Sequence, residues 1–262
     1  MIFYYSCTGN TEWAAKEISA ALGEEARPIP TMTCSEVITL KPNETIGFCF
    51  PVHAWRPPRP VREFARQCRI EHPEGHYCWM VCTAGDDIGE TMDIMQKDIG
   101  TVHLHADSVF SLIMPNTYVG LPFMDVDKEA LATQKTALAQ VKLQQIIHSI
   151  QNHEKGLCML DTSRWPRINS RLLGHLFIEH LMKDDAFVVD SDKCLRCGRC
   201  TTSCPVGNIR LDEDHHPRWL HNGKCLTCFA CYHHCPADAI QWGKATRGKG
   251  KYYFRTVSPS QA

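Results

Sequence analysis

The feature that most constrains this chain is one cysteine pattern used twice, C-x2-C-x2-C-x3-C-P. The first copy is Cys194, Cys197, Cys200 and Cys204 before Pro205; the second is Cys225, Cys228, Cys231 and Cys235 before Pro236. Eight of the fifteen cysteines therefore lie between positions 194 and 235. Thiolates at i, i+3 and i+6 sit on one tight loop whose backbone N–H groups can face inorganic sulfide. The fourth, before a proline, falls on the next turn and faces the other way. That spacing suits a cubane iron–sulfur cluster. The alternative is zinc, but zinc sites join C-x2–4-C pairs through a longer loop to reach a tetrahedron. An odd cysteine total without a secretion signal argues against a disulfide framework and for a reducing, cytoplasmic setting.

The flanks of the repeat agree with a small α+β module. Ile209, Leu211 and Trp219 surround a polar DEDHHP stretch that reads as a turn between short strands. Pro236-Ala237-Asp238-Ala239-Ile240 reads as a short helix running into a strand. Residues of about 187–243 thus resemble a bacterial two-cluster ferredoxin. The resemblance implies that the fourth cysteine of each run ligates the other cluster. One [4Fe–4S] cluster then takes Cys194, Cys197, Cys200 and Cys235, and the second takes Cys225, Cys228, Cys231 and Cys204. A module this small is held largely by its metal.

The amino-terminal half follows different rules. Ile2, Phe3, Tyr4 and Tyr5 read as a buried parallel strand. Ser6-Cys7-Thr8-Gly9-Asn10-Thr11 follows, then a helical pattern with Trp13, Ala14, Ile18, Ala21 and Leu22 on one face. A strand, a hydroxyl-rich loop with one glycine and a helix amino terminus make an anion site. A helix cap at Thr8 or Asn10 is the plainer alternative. No G-x4-G-K-[ST] is present, so this is no nucleotide-triphosphate loop. Further strands are expected at 45–50, 76–82 and 108–114, with helices at 58–68, 88–99 and 127–150. Alternation of this kind predicts an open α/β sheet with helices on both faces. Three of its strands end in distinctive loops: Pro51-Val52-His53-Ala54-Trp55, Thr83-Ala84-Gly85-Asp86-Asp87 and Pro115-Asn116-Thr117-Tyr118. Ligands of such sheets bind beyond the strands' carboxyl ends.

Ser6, Thr8, Gly9 and Thr11 match the phosphate loop S/T-x-T-G-x-T, and residues 1 to about 150 look like a flavodoxin. The resemblance implies a doubly wound parallel sheet of order 2-1-3-4-5 and FMN as cofactor. Trp55 would lie against the isoalloxazine, and Thr83 to Asp87 near its pyrimidine edge. Trp55 packing on its own proline-rich loop, and Asp86 or Asp87 acting at a helix start, are the alternatives. The order of the two halves is similar to a family of fused flavodoxin–ferredoxin proteins of anaerobes.

Residues 151–186 read as a helical connector, with Ile168, Leu172, Leu173, Leu176, Phe177 and Leu181 expected to pack on one module or both. Ser163 and Trp165-Pro166 suit its entry, since proline is at home in a first turn. Residues 187–262 then form the ferredoxin-like module with a tail, Lys244 to Arg255, that holds five basic residues and no acid. That tail is read as solvated or docked on the chain, with contact to an acidic redox partner as the sharper alternative. Cys7, Cys34, Cys49, Cys68, Cys78, Cys82 and Cys158 show no ligand spacing, and Cys49, Cys78 and Cys82 are expected in the core. A net charge of −1 disfavours nucleic acid, and no apolar run approaches a membrane span. The expected function is electron transfer between two [4Fe–4S] clusters and FMN, in exchange with a redox partner protein. The alternative is a flavin-dependent reductase of a small organic acceptor.

Overall fold

The computed structural model describes residues 1–32 and 36–254. Cys34 and Arg255, both named above, lie outside the described residues. The chain forms two compact units: Met1–Ser6, Asn10–Pro115 and Glu129–His175 in the first, and Cys7–Gly9, Asn116–Lys128 and Leu176 onward in the second.

The first unit is α/β. Its strands are β1 (Ile2–Tyr4), β2 (Ala26–Pro28), β3 (Val37–Thr39), β4 (Ile46–Pro51), β5 (Arg69–Glu71), β6 (Cys78–Ala84), β7 (Ser108–Ile113) and β8 (Cys158–Met159). Six of them make one all-parallel sheet in the order β2-β1-β4-β6-β7-β8, while β3 and β5 form a separate parallel pair. All seven residues of β6 (CWMVCTA) are buried, as a strand covered on both faces requires. The cover comes from α1 (Asn10–Leu22), α2 (Arg59–Gln67), α3 (Thr91–Gly100) and α4 (Glu129–Gln151), with α1 beside α4 and α2 beside α3. Asp98 of α3 accepts from Arg62 Nε at 2.6 Å and Arg66 Nε at 2.7 Å, tying α2 to α3. The strand register places Gly47 opposite Trp79. A Cβ on Gly47 would stand 2.2 Å from the indole, so only glycine fits there.

The expected long strands are found near their expected places, with β6 starting two residues late. Helix α3 starts at Thr91 rather than 88, because Asp87 Oδ1 accepts from Gly89 N at 3.1 Å and holds a turn first. Strands β2, β3, β5 and β8 were not foreseen; two or three residues carry no readable alternation. On α1, Trp13, Ala14 and Ile18 are buried as expected, whereas Ala21 is exposed and Leu22 only half-buried.

The connector is helical: α5 (Pro166–Ile168), a π turn (Asn169–Leu173) and α6 (Gly174–His180). Its apolar stripe packs only in part: Phe177 meets Tyr118 edge-on at 5.3 Å. Ile168, Leu172, Leu173 and Leu176 are exposed, and Phe177 and Leu181 are half-buried. The buried face is instead Ser170 and Gly174. These small residues let the helix backbone reach the loop 53–56. A Cβ on Gly174 would meet the Ala54 carbonyl oxygen at 2.4 Å.

The second unit contains β9 (Phe187–Val189), α7 (Arg199–Thr202), β10 (Ile209–Leu211), β11 (Pro217–Trp219), α8 (Ala230–His233) and β12 (Ile240–Trp242). The strands form two antiparallel pairs, β10 with β11 and β12 with β9. Residues 236–239 form a turn and not the expected short helix. Asp238 takes a left-handed φ of 52° there, which a right-handed helix cannot continue through. The core is aromatic: Phe187 stacks on Trp219 at 5.2 Å, and Phe229 meets Tyr118 and Trp242 edge-on. Tyr118 and Val119 come from the segment 116–128, which the sequence had joined to the sheet half.

The basic tail is docked on its own unit. Lys249 Nζ donates to the carbonyls of Val119, Leu121 and Met124, and Tyr232 Oη donates to Lys249 O at 2.9 Å. Tyr253 stacks on His234 at 4.7 Å.

Candidate functional site

In the second unit the eight cysteines converge in two groups. Cys194, Cys197, Cys200 and Cys235 line one hollow. Cys204, Cys225, Cys228 and Cys231 line a second. The fourth cysteine of each run therefore lies with the first three of the other.

Matched backbone geometry produces this. Arg196 and Gly198 flank Cys197 with φ of 54° and 70°, and Thr227 and Phe229 flank Cys228 with φ of 44° and 58°. Each left-handed pair folds its run into a tight loop, and each loop passes into a one-turn helix, α7 or α8. Glycine is the ordinary residue for such φ; Phe229 adopts it with its ring buried in the core. Backbone amides reach cysteine sulfur: Asn208 N donates to Cys204 Sγ at 3.3 Å, and Thr227 N to Cys225 Sγ at 3.4 Å.

The surroundings are largely apolar, although Cys197 at the first hollow is exposed. Leu211, Pro217 and Ile240 line the first hollow, and Phe187, Trp219 and Phe229 the second. Burial pushes the Cys200 thiol up to about 11 and the Cys225 thiol up to about 12, and it raises Cys204 and Cys231. A hydrogen bond with Cys7, of the same unit, holds Cys228 below the usual thiol value. Thiols that sit protonated must release protons when they ligate a metal, so loading couples to pH. Lys251, which sequence reasoning missed, donates to Cys235 O at 2.8 Å and lies 5.0 Å over the Tyr232 ring. A lysine in a basic tail carried no signal of that role.

The loops named for a flavin sit at the carboxyl ends of parallel strands. In the first unit, Thr11 Oγ1 and Thr83 Oγ1 share a hydrogen bond of 2.7 Å, and Asn10 Nδ2 donates to Pro115 O at 3.1 Å. Pro51 closes β4, and Val52 N donates to Thr83 O at 2.8 Å. His53 N donates to Arg56 O at 2.9 Å across a turn that puts Ala54 and Trp55 at φ of 49° and 57°. Ser170 Oγ donates to Trp55 O at 2.9 Å, and Arg56 Nε to Ser170 O at 2.8 Å, so the connector clamps this loop. Ala84 is buried at the end of β6. Gly85 O accepts from Lys135 Nζ at 2.8 Å, and exposed Asp86 pairs with the same lysine. Asp87 does not cap α3. Although burial opposes its charge, bonds from Ser163 N, Asn169 Nδ2 and Gly89 N hold its carboxyl below the usual range. Ser6 is half-buried at the end of this unit's first segment. In the second unit, buried Thr8 accepts from Phe254 N at 2.7 Å through its carbonyl, and Gly9 turns at φ 93° against Phe254.

One pH response follows from this loop. Burial pushes the pKa of His53 down to about 4. The unfolded ring takes a proton near 6.5, so its contribution to stability is complete above that value and is lost as pH falls toward 4. The loss is on the order of 2–3 kcal/mol. Thermal melts between neutral and acid pH should show the decline, and His53→Gln should flatten it.

The family model of the 4Fe-4S dicluster domain matches residues 186–236. No curated protein matches the chain. The matched segment is a ferredoxin-type 4Fe-4S dicluster domain, and such a domain is an iron–sulfur, electron-carrying module.

Proposed function

We propose that the chain carries electrons through two [4Fe–4S] clusters, one held by Cys194, Cys197, Cys200 and Cys235 and the other by Cys225, Cys228, Cys231 and Cys204. The observation that carries this reading is the convergence of the cysteines into two crossed groups of four. The residues fit the group: the ligand set is all thiol, apolar side chains line both hollows, and backbone amides reach cysteine sulfur. Bound there, the clusters supply one-electron exchange. The chain's own part is to hold the ligands and their backbone in place, as Lys251, paired with Asp238, does at the Cys235 carbonyl.

FMN on the amino-terminal half completes the proposal. The strands of the main sheet, counted along the chain among themselves, run 2-1-3-4-5-6, which supports a flavodoxin-like reading with one added edge strand. The donor chemistry fits a phosphate monoester: Ser6, Thr8 and Thr11 hydroxyls and the Asn10 amide precede or open a 13-residue helix. Glu12 in its first turn is neutralised by Lys16 at 2.6 Å. FMN would supply the exchange between one- and two-electron chemistry, with Ser6 to Thr11 at its phosphate and the loops at Trp55 and Thr83–Asp87 at its ring. The domains on this reading are 1–150, a connector 151–186 and 187–262. The electrons pass to or from a redox partner protein. A small organic acceptor at the flavin is the second reading, favoured by the absence of an aromatic residue in the loop 83–89.

Anaerobic purification followed by iron, sulfide and flavin analysis tests both halves. About eight iron atoms per chain are expected, with one FMN. Bound zinc in place of iron overturns the cluster reading, and a flavin-free holoprotein that also fails to take up added FMN overturns the other. Multiple turnover with one small oxidant would select the reductase over the carrier.

A further inference from the structure

The connector presents two exposed rows to solvent. Ile168 and Leu172 stand four residues apart, flanked by Trp165 and Leu173, at 48%, 56%, 59% and 45% exposure. Beside them runs a basic row, Arg167, Arg171 and His175, with Arg164 lying 5.4 Å over the Trp165 ring. No Asp or Glu occurs between Asp161 and Glu179. Carboxylates from outside the connector do reach it: Glu90 accepts two bonds from Arg171 at 2.7 Å, and Asp87 accepts from Ser163 N and Asn169 Nδ2.

A solvated helix normally turns such a stripe inward. Here Ser170 and Gly174 take the inward face, because only small side chains let the backbone approach the loop 53–56. The large apolar residues are left outside, as a ridge and not a pocket. A ridge of Trp, Ile and Leu edged by arginines is the chemistry of a helix lying in the headgroup layer of an anionic bilayer. The apolar row enters the acyl boundary there, and guanidinium groups pair with lipid phosphate; on this chain Arg164 and Arg167 are the arginines placed for it, since Arg171 is engaged by Glu90. No helix among the described residues is long and apolar enough to cross a membrane, so contact of this kind would be peripheral.

We infer that residues 164–173 form a docking surface for an anionic lipid bilayer. The inference does not rest on the clusters or the flavin.

Flotation of the anaerobically purified full chain with vesicles tests it, using phosphatidylcholine alone and phosphatidylcholine mixed with phosphatidylglycerol. Wild type should float with the anionic vesicles at least tenfold more than with neutral ones, and added salt should release it. Arg167→Ser should weaken binding about fivefold. The double variant Ile168→Ser, Leu172→Ser should lose more than tenfold. All three positions are exposed, so iron content and the far-ultraviolet spectrum should stay at wild-type values. Equal flotation with both vesicles, no flotation, or unchanged flotation of the double variant overturns the inference. So does a wild-type dimer that the double variant dissociates, which would assign the ridge to a second copy.

Discussion

Replacing Cys235 with serine should halve the iron of the anaerobically purified chain, from about eight atoms to about four. The cluster lost should be the one held by the earlier run, Cys194, Cys197 and Cys200. The reason is geometric: Cys235 lies in the hollow of those three and not with Cys225, Cys228 and Cys231. Double variants read the crossing directly. Adding Cys194→Ser to Cys235→Ser should cost little further iron, because both serve one hollow, whereas adding Cys225→Ser should remove nearly all of it. The opposite ranking would mean that each run closes its own cluster. Stripping all the iron should go further and unfold the module. Its four strands are three residues long each, and so small a core does not supply the missing free energy alone. Amide exchange over residues 186–243 should then collapse while that of β4 and β6 persists.

Gly47→Ala carries the second large effect, in the other unit. Its new methyl group would stand 2.2 Å from Trp79 Cζ2. Trp79 is fully buried, and its Nε1 donates to Thr45 Oγ1 at 2.8 Å, so the indole has nowhere to move. Overpacking of this kind should cost about 3 kcal/mol, or roughly 6–12 °C in Tm. Trp79→Phe should recover much of that loss in the double variant although it destabilises on its own, a non-additivity expected of residues in contact. Simple additivity of the two changes would refute the steric account.

Some of this was legible from side-chain pattern alone. Continuous apolar runs such as TIGFCF and CWMVCTA specify buried parallel strands, and β4 and β6 are those segments. The cysteine spacing specified two four-thiol groups. The short strands β2 and β8 were not legible, since their residues become strand only by lying against a neighbour. The connector misled for a related reason. Its apolar periodicity was real, but the sequence does not say which helix face meets a partner, and Ser170 and Gly174 win that contact by being small.

Local chemistry, then, determined the cysteine runs, the main strands and the hydroxyl-rich loop ahead of α1, because each is written in neighbouring residues. Tertiary structure decided what joins distant ones. It gathered Cys235 to Cys194, joined segment 116–128 to the core around Phe229, and turned Lys249 from a tail charge into a clasp on three carbonyls. Such contacts depend on which surfaces remain uncovered once the local elements have formed, and no window of sequence contains that information.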